Sequence, residues 1–207
     1  IRSKNHIAIF YTSKRQDAVS VLDENGGLNQ DVQAPAMLQL DKIELYALPD
    51  YEKNAASAIP LKTVHFEYDY SLCPEYIGHK TQQGKLTLKK IYFTYQGSNK
   101  GRYTPYLFHY GERFLPNGAL DTVINPSYNP REIDRWSTYK KQGPLTGSLI
   151  DDPLRASDFP YVGLDKAQAD FFATAWNLST IELPSGGKIQ VDYEADDYAY
   201  VQHKRAN

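Results

Sequence analysis

Carboxylates gather near the C-terminus at Asp192, Glu194, Asp196 and Asp197. In an extended strand, residues 192, 194 and 196 project from one face about 7 Å apart. That spacing could seat a hard cation such as Ca²⁺ if backbone carbonyls supplied further oxygens. The competing reading is a solvated strand face whose charge discourages edge pairing, and the run lacks EF-hand spacing. Asp151 and Asp152, ahead of Pro153, read either as a turn or as half of a glycosidase acid pair. The single thiol, Cys73 beside Pro74, reads as a small buried hydrophobe, since a thiol nucleophile needs a positioned base. The histidines at 6, 65, 79, 109 and 203 show no ligand-pair spacing for zinc. No phosphate-binding loop, dinucleotide fingerprint or nucleophile elbow occurs, so no cofactor is expected. Asn177-Leu178-Ser179 fits a glycosylation sequon but falls at a helix-to-strand junction.

The other chemistry-bearing group is aromatic. The chain has 17 tyrosines in 207 residues. Tyr92, Tyr95, Tyr103, Tyr106 and Tyr110 surround the 97–101 loop, with Lys100 and Arg102 between them. Such rings stack on sugars while their hydroxyls hydrogen-bond, which makes a glycan a possible ligand. The alternative is that they cover a sheet, ring inward and hydroxyl outward. Lys and Arg total 23 against 25 Asp and Glu, a net charge of −2. That balance lacks the basic excess phosphate contacts need, so nucleic acid is not an expected partner. No run approaches the roughly 18 apolar residues of a membrane helix, and no membrane insertion is expected.

What must position these groups is a set of strands. In 63–70, Val64, Phe66, Tyr68 and Tyr70 fall on one face and Thr63, His65, Glu67 and Asp69 on the other, the period of a strand with its apolar side buried. Similar runs cover 6–11, 38–48, 86–95, 106–110, 178–183, 188–193 and 198–203. Two of them change parity midway: Leu38 and Leu40 give way across Asp41-Lys42 to Ile43 and Leu45, and Leu86 and Leu88 across Lys89-Lys90 to Ile91 and Phe93. A one-residue shift flips every side chain, so each needs a β-bulge or cover on both faces there.

These parity changes expose an internal repeat. Leu40-x-x-Ile43-x-Leu45, Leu88-x-x-Ile91-x-Phe93 and Leu178-x-x-Ile181-x-Leu183 are each followed by a strand ending in tyrosine: Tyr68-Asp69, Tyr110 and Tyr193-Glu194. The third copy turns through Pro184-Ser185-Gly186-Gly187, whose glycines suit a tight hairpin. Loops 48–61 and 96–105 lengthen the first two. Residues 112–163 carry six prolines and read as a loop-rich insertion held to the sheet by Tyr128, Trp136, Tyr139, Phe159 and Tyr161. A helix is predicted over 165–177, capped by Asp165 and Gln168, with Phe171, Phe172, Ala175 and Trp176 as its apolar stripe. Residues 23–36 and 76–84 read as further exposed loops. The expected fold is mainly β: an antiparallel, strongly curved sheet of hairpin repeats with long loops and one short helix packed on it. It is expected as a single β-rich domain over 1–207, or a fragment, since the chain opens at Ile1.

The unit from Leu178 to Glu194, with its Leu-x-x-Ile strand, glycine turn and closing tyrosine, resembles the Rhs or YD-repeat family, and Tyr68-Asp69 keeps the dipeptide literally. Residues 134–140 and 193–202 are similar to segments of very large secreted or surface proteins of Bacteroidetes. The resemblance implies a non-catalytic scaffold or shell segment, extracellular or at the cell surface, whose partners are neighbouring repeats or the remainder of a larger polypeptide. A carbohydrate-binding module using the Tyr92–Tyr110 surface is the alternative, and a carboxylate-pair hydrolase a third class.

Overall fold

A computed structural model describes residues 1–17, 21–23, 26–28, 37–76, 84–114, 120–122, 125–133, 138–140, 172–194, 200–201 and 204–205. In chain order the strands are β1 (His6–Lys14), β2 (Val21–Asp23), β3 (Gly26–Leu28), β4 (Leu38–Ala47), β5 (Lys62–Leu72), β6 (Lys85–Thr94), β7 (Tyr106–Tyr110), β8 (Glu112–Phe114), β9 (Leu120–Thr122), β10 (Leu178–Glu182), β11 (Lys188–Gln190), β12 (Tyr200–Val201) and β13 (Lys204–Arg205). Seven of them form one open antiparallel sheet in the order β1-β4-β5-β6-β7-β10-β11. The pairs β2-β3, β8-β9 and β12-β13 are separate two-stranded ribbons. The fold is mainly antiparallel β, as the alternation predicts.

The parity changes are bulges, and they recur at one place in every copy. Thr12 pairs with Leu40 and Tyr11 with Lys42, which leaves Asp41 without an opposite residue. Tyr68 pairs with Leu88 and Glu67 with Lys90, which leaves Lys89. Tyr110 pairs with Leu178 and His109 with Thr180, which leaves Ser179. The extra residue always follows the repeat leucine. It absorbs the odd step in Leu-x-x-Ile and returns leucine and isoleucine to one face.

Connections hold two surprises. The 48–61 stretch, expected as loop, contains the helix α1 (Leu48–Lys53), where Pro49 in the first turn presets the backbone dihedral. The 23–36 stretch contains β3. The 96–105 loop carries a 3-10 turn at Lys100–Tyr103, and Pro130–Glu132 forms another. Most of the predicted 165–177 helix lies outside the described residues; its last part, 173–176, is turn.

Burial is not confined to the apolar side. Thr63, Thr87, Thr94 and Thr180 are only 4, 3, 7 and 0% exposed, and all lie on the polar face with Glu44 and Tyr46. Val64, Phe66, Tyr68 and Tyr70, the side expected to be buried, keep part of their surface accessible. The alternation is as predicted, and neither side is uniformly covered, since Glu67 on the polar face is exposed.

The described part of the insertion is anchored. The Tyr128 amide donates to Pro74 O at 2.7 Å, and its ring meets Tyr76 edge-on. Asn125 Nδ2 donates to Tyr110 O, and Asn125 Oδ1 accepts from the Trp176 amide. Tyr139 is buried between Phe172 and Trp176. Trp136, Phe159 and Tyr161 lie outside the described residues. Gly111, at φ +67°, sits so close to this bracket that a Cβ would come within 2.4 Å of Asn125 Oδ1. Gly111→Ala is therefore expected to lower the urea midpoint more than Gly97→Ala, where φ is +76° but nothing lies within 4 Å.

Candidate functional site

The repeat leucines and tyrosines meet in the structure. Each repeat hairpin's ladder stops two residues after its leucine: at Lys42 opposite His65, at Lys90 opposite Leu107 and at Thr180 opposite Gln190. Beyond that point the leucine carbonyl has no backbone partner on the second strand. The tyrosine three residues past the last pair supplies one. Tyr68 Oη donates to Leu40 O, Tyr110 Oη to Leu88 O and Tyr193 Oη to Leu178 O, each at 2.9 Å. A peptide carbonyl needs a donor, so a tyrosine there closes a hairpin whose ladder the bulge has ended. The same tyrosines stand opposite the next copy's leucine, Tyr68 at Leu88 and Tyr110 at Leu178. Tyr68 and Tyr110 thus each tie their own hairpin shut and register the following one.

The remaining signature residues fall around this seam. Ile43, Ile91 and Ile181 form the pair next to the last in their ladders, opposite Val64, Tyr106 and Ile189. Asp69 caps the chain beyond Tyr68, its Oδ1 accepting from the Ser71 amide at 3.1 Å and hydroxyl at 2.8 Å. Gly186, at φ +84°, and Gly187 make the tight turn, with Leu183 N donating to Gly187 O. Glu194 is exposed just past Tyr193. This tyrosine-to-carbonyl geometry was missed in the sequence, because naming the acceptor requires the register.

The five candidate glycan tyrosines do not form one platform. Tyr92 stacks on His65 at 4.5 Å. Tyr106 meets Phe93 edge-on, and Tyr110 is occupied with Leu88 O. Tyr95 and Tyr103 alone face solvent, 54% and 75% exposed, with Lys62 over the Tyr95 ring and Arg102 over that of Tyr103. Asp192 and Glu194 are exposed, while Asp196, Asp151 and Asp152 lie outside the described residues. Among the described residues no three metal-ligating side chains converge. The sequon is built into the sheet: Asn177 Nδ2 donates to Ala173 O, and buried Ser179 donates to His109 O.

The best-held charges are structural. Asp17, whose side chain is 1% exposed, takes both arms of Arg15 at 2.8 and 2.9 Å and the Leu86 amide at 2.8 Å. Burial pushes its pKa up, but these donors outweigh it and hold the carboxyl below the ordinary range. Burial likewise opposes ionisation of Glu44, and the Lys42 ammonium and Tyr46 hydroxyl, each at 2.6 Å, prevail. Both oxygens of Glu44 are thus committed, and burial with Glu44 raises Tyr46. His65 is pushed down by burial, then by Lys42, and its Nε2 lies 2.8 Å from Thr94 Oγ1. His109 pairs with Glu182 at 3.2 Å. Burial lifts the Cys73 thiol to about 11. None of these groups is arranged as a nucleophile with its base.

Three outcomes follow from these contacts. Tyr68→Phe and Tyr110→Phe are each expected to cost about 1 kcal/mol in urea unfolding, and Tyr193→Phe less, because water reaches its carbonyl at the sheet edge. Asp17 and Glu44, whose folded pKa values are depressed, contribute fully above the ordinary values of 3.8 and 4.5. Their contribution is lost as pH falls through the folded values, so Asp17→Asn and Glu44→Gln should lower stability at neutral pH and flatten its decline in acid. Iodoacetamide should modify Cys73 about 100-fold more slowly in folded than in urea-unfolded protein; equal rates would contradict its burial. Compared with known protein families, curated proteins and solved structures, the chain matches none.

Proposed function

We propose that the chain is a non-catalytic wall segment, of scaffold or shell type, from a large Rhs-like secreted or cell-surface bacterial protein, and that its sheet continues into neighbouring hairpins. The observation that carries this reading is the threefold tyrosine-to-leucine geometry, which runs out at Tyr193. Tyr68 and Tyr110 each face the leucine of a following copy, whereas Tyr193 is 36% and Ile189 48% exposed at the β11 edge. Val191 N donates inward to Ser179 O, and β11 is the last strand on that side of the sheet. At the opposite edge Thr12 occupies the place of the preceding tyrosine, facing Leu40. A sheet built of hairpins that pair with the next one extends from its edges.

A second reading, glycan binding, draws on exposed Tyr95 and Tyr103 alone. One experiment separates the two. A fluorescent peptide with the sequence of residues 85–95, which carries the Leu88-x-x-Ile91 pattern, is titrated with the chain, and the chain is also placed on a glycan array. The wall reading predicts saturable peptide binding that Tyr193→Ala weakens, since Tyr193 is exposed where Tyr68 and Tyr110 face the leucine of a following copy, together with blank glycan spots. Glycan binding lost in Tyr103→Ala, without peptide binding, would reverse the choice.

A further inference from the structure

Residues 1–12 follow the geometry of the repeat without its full sequence pattern. In the three copies the repeat isoleucine stands opposite a residue four places before the tyrosine: Ile43 opposite Val64, Ile91 opposite Tyr106 and Ile181 opposite Ile189. The tyrosine then faces the leucine of the next copy, as Tyr68 faces Leu88 and Tyr110 faces Leu178. β1 keeps the same spacing. Ile1 and Ala8 exchange both backbone bonds, at 2.9 and 2.8 Å, and four places on from Ala8, Thr12 faces Leu40 across a bulge of the same kind. The turn corresponds too: Ser3 N donates to His6 O at 2.9 Å, as Leu183 N donates to Gly187 O at 2.8 Å. Ile1 therefore stands where Ile43, Ile91 and Ile181 stand, and Thr12 where Tyr68, Tyr110 and Tyr193 stand. This hairpin is built into the fold, because the Leu48 amide donates to Asn5 O in its turn at 2.9 Å and Arg2 pairs with Glu52 of α1. Yet it covers only the first part of β1. Past the Ile1–Ala8 pair no strand among the described residues lies beyond β1, which ends the sheet on that side. Phe10 is 46% exposed there, whereas the residues in its place in the other copies, Phe66, Phe108 and Val191, are part-buried.

We infer that residues 1–12 are the closing part of a fourth repeat hairpin, and that the edge of β1 beyond Ala8 takes the Leu-x-x stretch of the same first strand, its leucine three places ahead of Ile1. The inference rests on the wall reading and names the wall's partner at this edge. The occupant is fixed by continuity, since a strand already bonded at Ile1 and Ser3 has only to run on in register along β1. Its contacts follow from the third copy. Val191 N donates to Ser179 O at 2.9 Å, so the Phe10 amide, in the place of Val191, donates to the carbonyl two places ahead of Ile1. Tyr193 Oη donates to Leu178 O, so the carbonyl of the incoming leucine arrives beside Thr12. A threonine hydroxyl stands directly on Cβ and lacks the ring that carries a tyrosine hydroxyl across to the neighbouring strand. This copy therefore closes on backbone bonds without the tyrosine cap.

The test compares the full chain, released at Ile1 from a cleavable tag, with the same chain carrying Leu-Lys-Lys ahead of Ile1, the tripeptide that precedes Ile91. Amide hydrogen exchange at Phe10, read by nuclear magnetic resonance, reports the bond in question. The inference predicts that the extension slows exchange at Phe10 about tenfold or more and leaves Val191 unchanged. In the extended chain Thr12→Tyr slows it about fivefold further, the size of one net hydrogen bond, whereas Thr12→Phe, which supplies the ring without the hydroxyl, does not. In the unextended chain Thr12→Tyr brings no such gain. An extension that leaves exchange at Phe10 unchanged overturns the inference, and so does equal protection by Thr12→Tyr and Thr12→Phe. The peptide titration at β11 keeps the two readings apart. Capture there beside an unprotected Phe10 leaves the wall reading standing and removes only the fourth hairpin, whereas protection of Phe10 with no capture at β11 keeps the hairpin and places the failure in the wall reading.

Discussion

Each repeat hairpin in this protein faces the same local problem: its ladder ends at the bulge and leaves the carbonyl of the preceding leucine without a ladder partner on the hairpin's second strand. The solution is the same each time, a tyrosine hydroxyl reaching back from the second strand to Leu40, Leu88 or Leu178. The rest of the sheet follows from that constraint. The bulge is required for leucine and isoleucine, three apart, to share a face, and the tyrosine is required because of the bulge. Its own backbone position then sets where the next hairpin's leucine falls. Register passes from copy to copy through one residue type, which is why the repeat tolerates loops as different as 48–61 and Pro184–Gly187 between its strands.

The division of labour between the faces has the same origin. Once each leucine and isoleucine is returned to one side, charge collects on the other, where Lys42 and Tyr46 satisfy Glu44; beyond the end of β1, Arg15 and the Leu86 amide satisfy Asp17. Their partners favour the ionised form of both carboxylates, whereas a general acid or base needs a pKa near the working pH. Thr63, Thr87, Thr94 and Thr180 are buried on that same side.

Much of this was legible in the sequence, and the parts that were not have physical reasons. The strand periods at 63–70 and 106–110 and the parity changes at Asp41 and Lys89 depend only on alternation, which the backbone imposes locally, and the structure places strands and bulges there. The Tyr68-to-Leu40 bond depends on register between strands separated by a long loop, and alternation carries no such information. α1 was missed because Pro49 reads as a helix breaker, although at a first turn it is compatible with helix. Val64 and Phe66 are only part-buried, because alternation identifies an apolar face but not what packs against it. Of the five candidate glycan tyrosines, three are engaged inside the sheet, since tyrosine serves as readily to cap a carbonyl as to stack on a sugar.

The central claim is that the bulge after each repeat leucine sets the register with the preceding strand. Cross-strand Hα–Hα contacts in a nuclear Overhauser spectrum report that register directly, because opposed residues of antiparallel strands bring their Cα atoms to about 4.5–5.5 Å. The account predicts contacts or shared-pair patterns placing Tyr68 with Leu88, Tyr110 with Leu178 and Thr12 with Leu40. A bulge-free register, with Tyr68 opposite Lys89 and Tyr110 opposite Ser179, would contradict it.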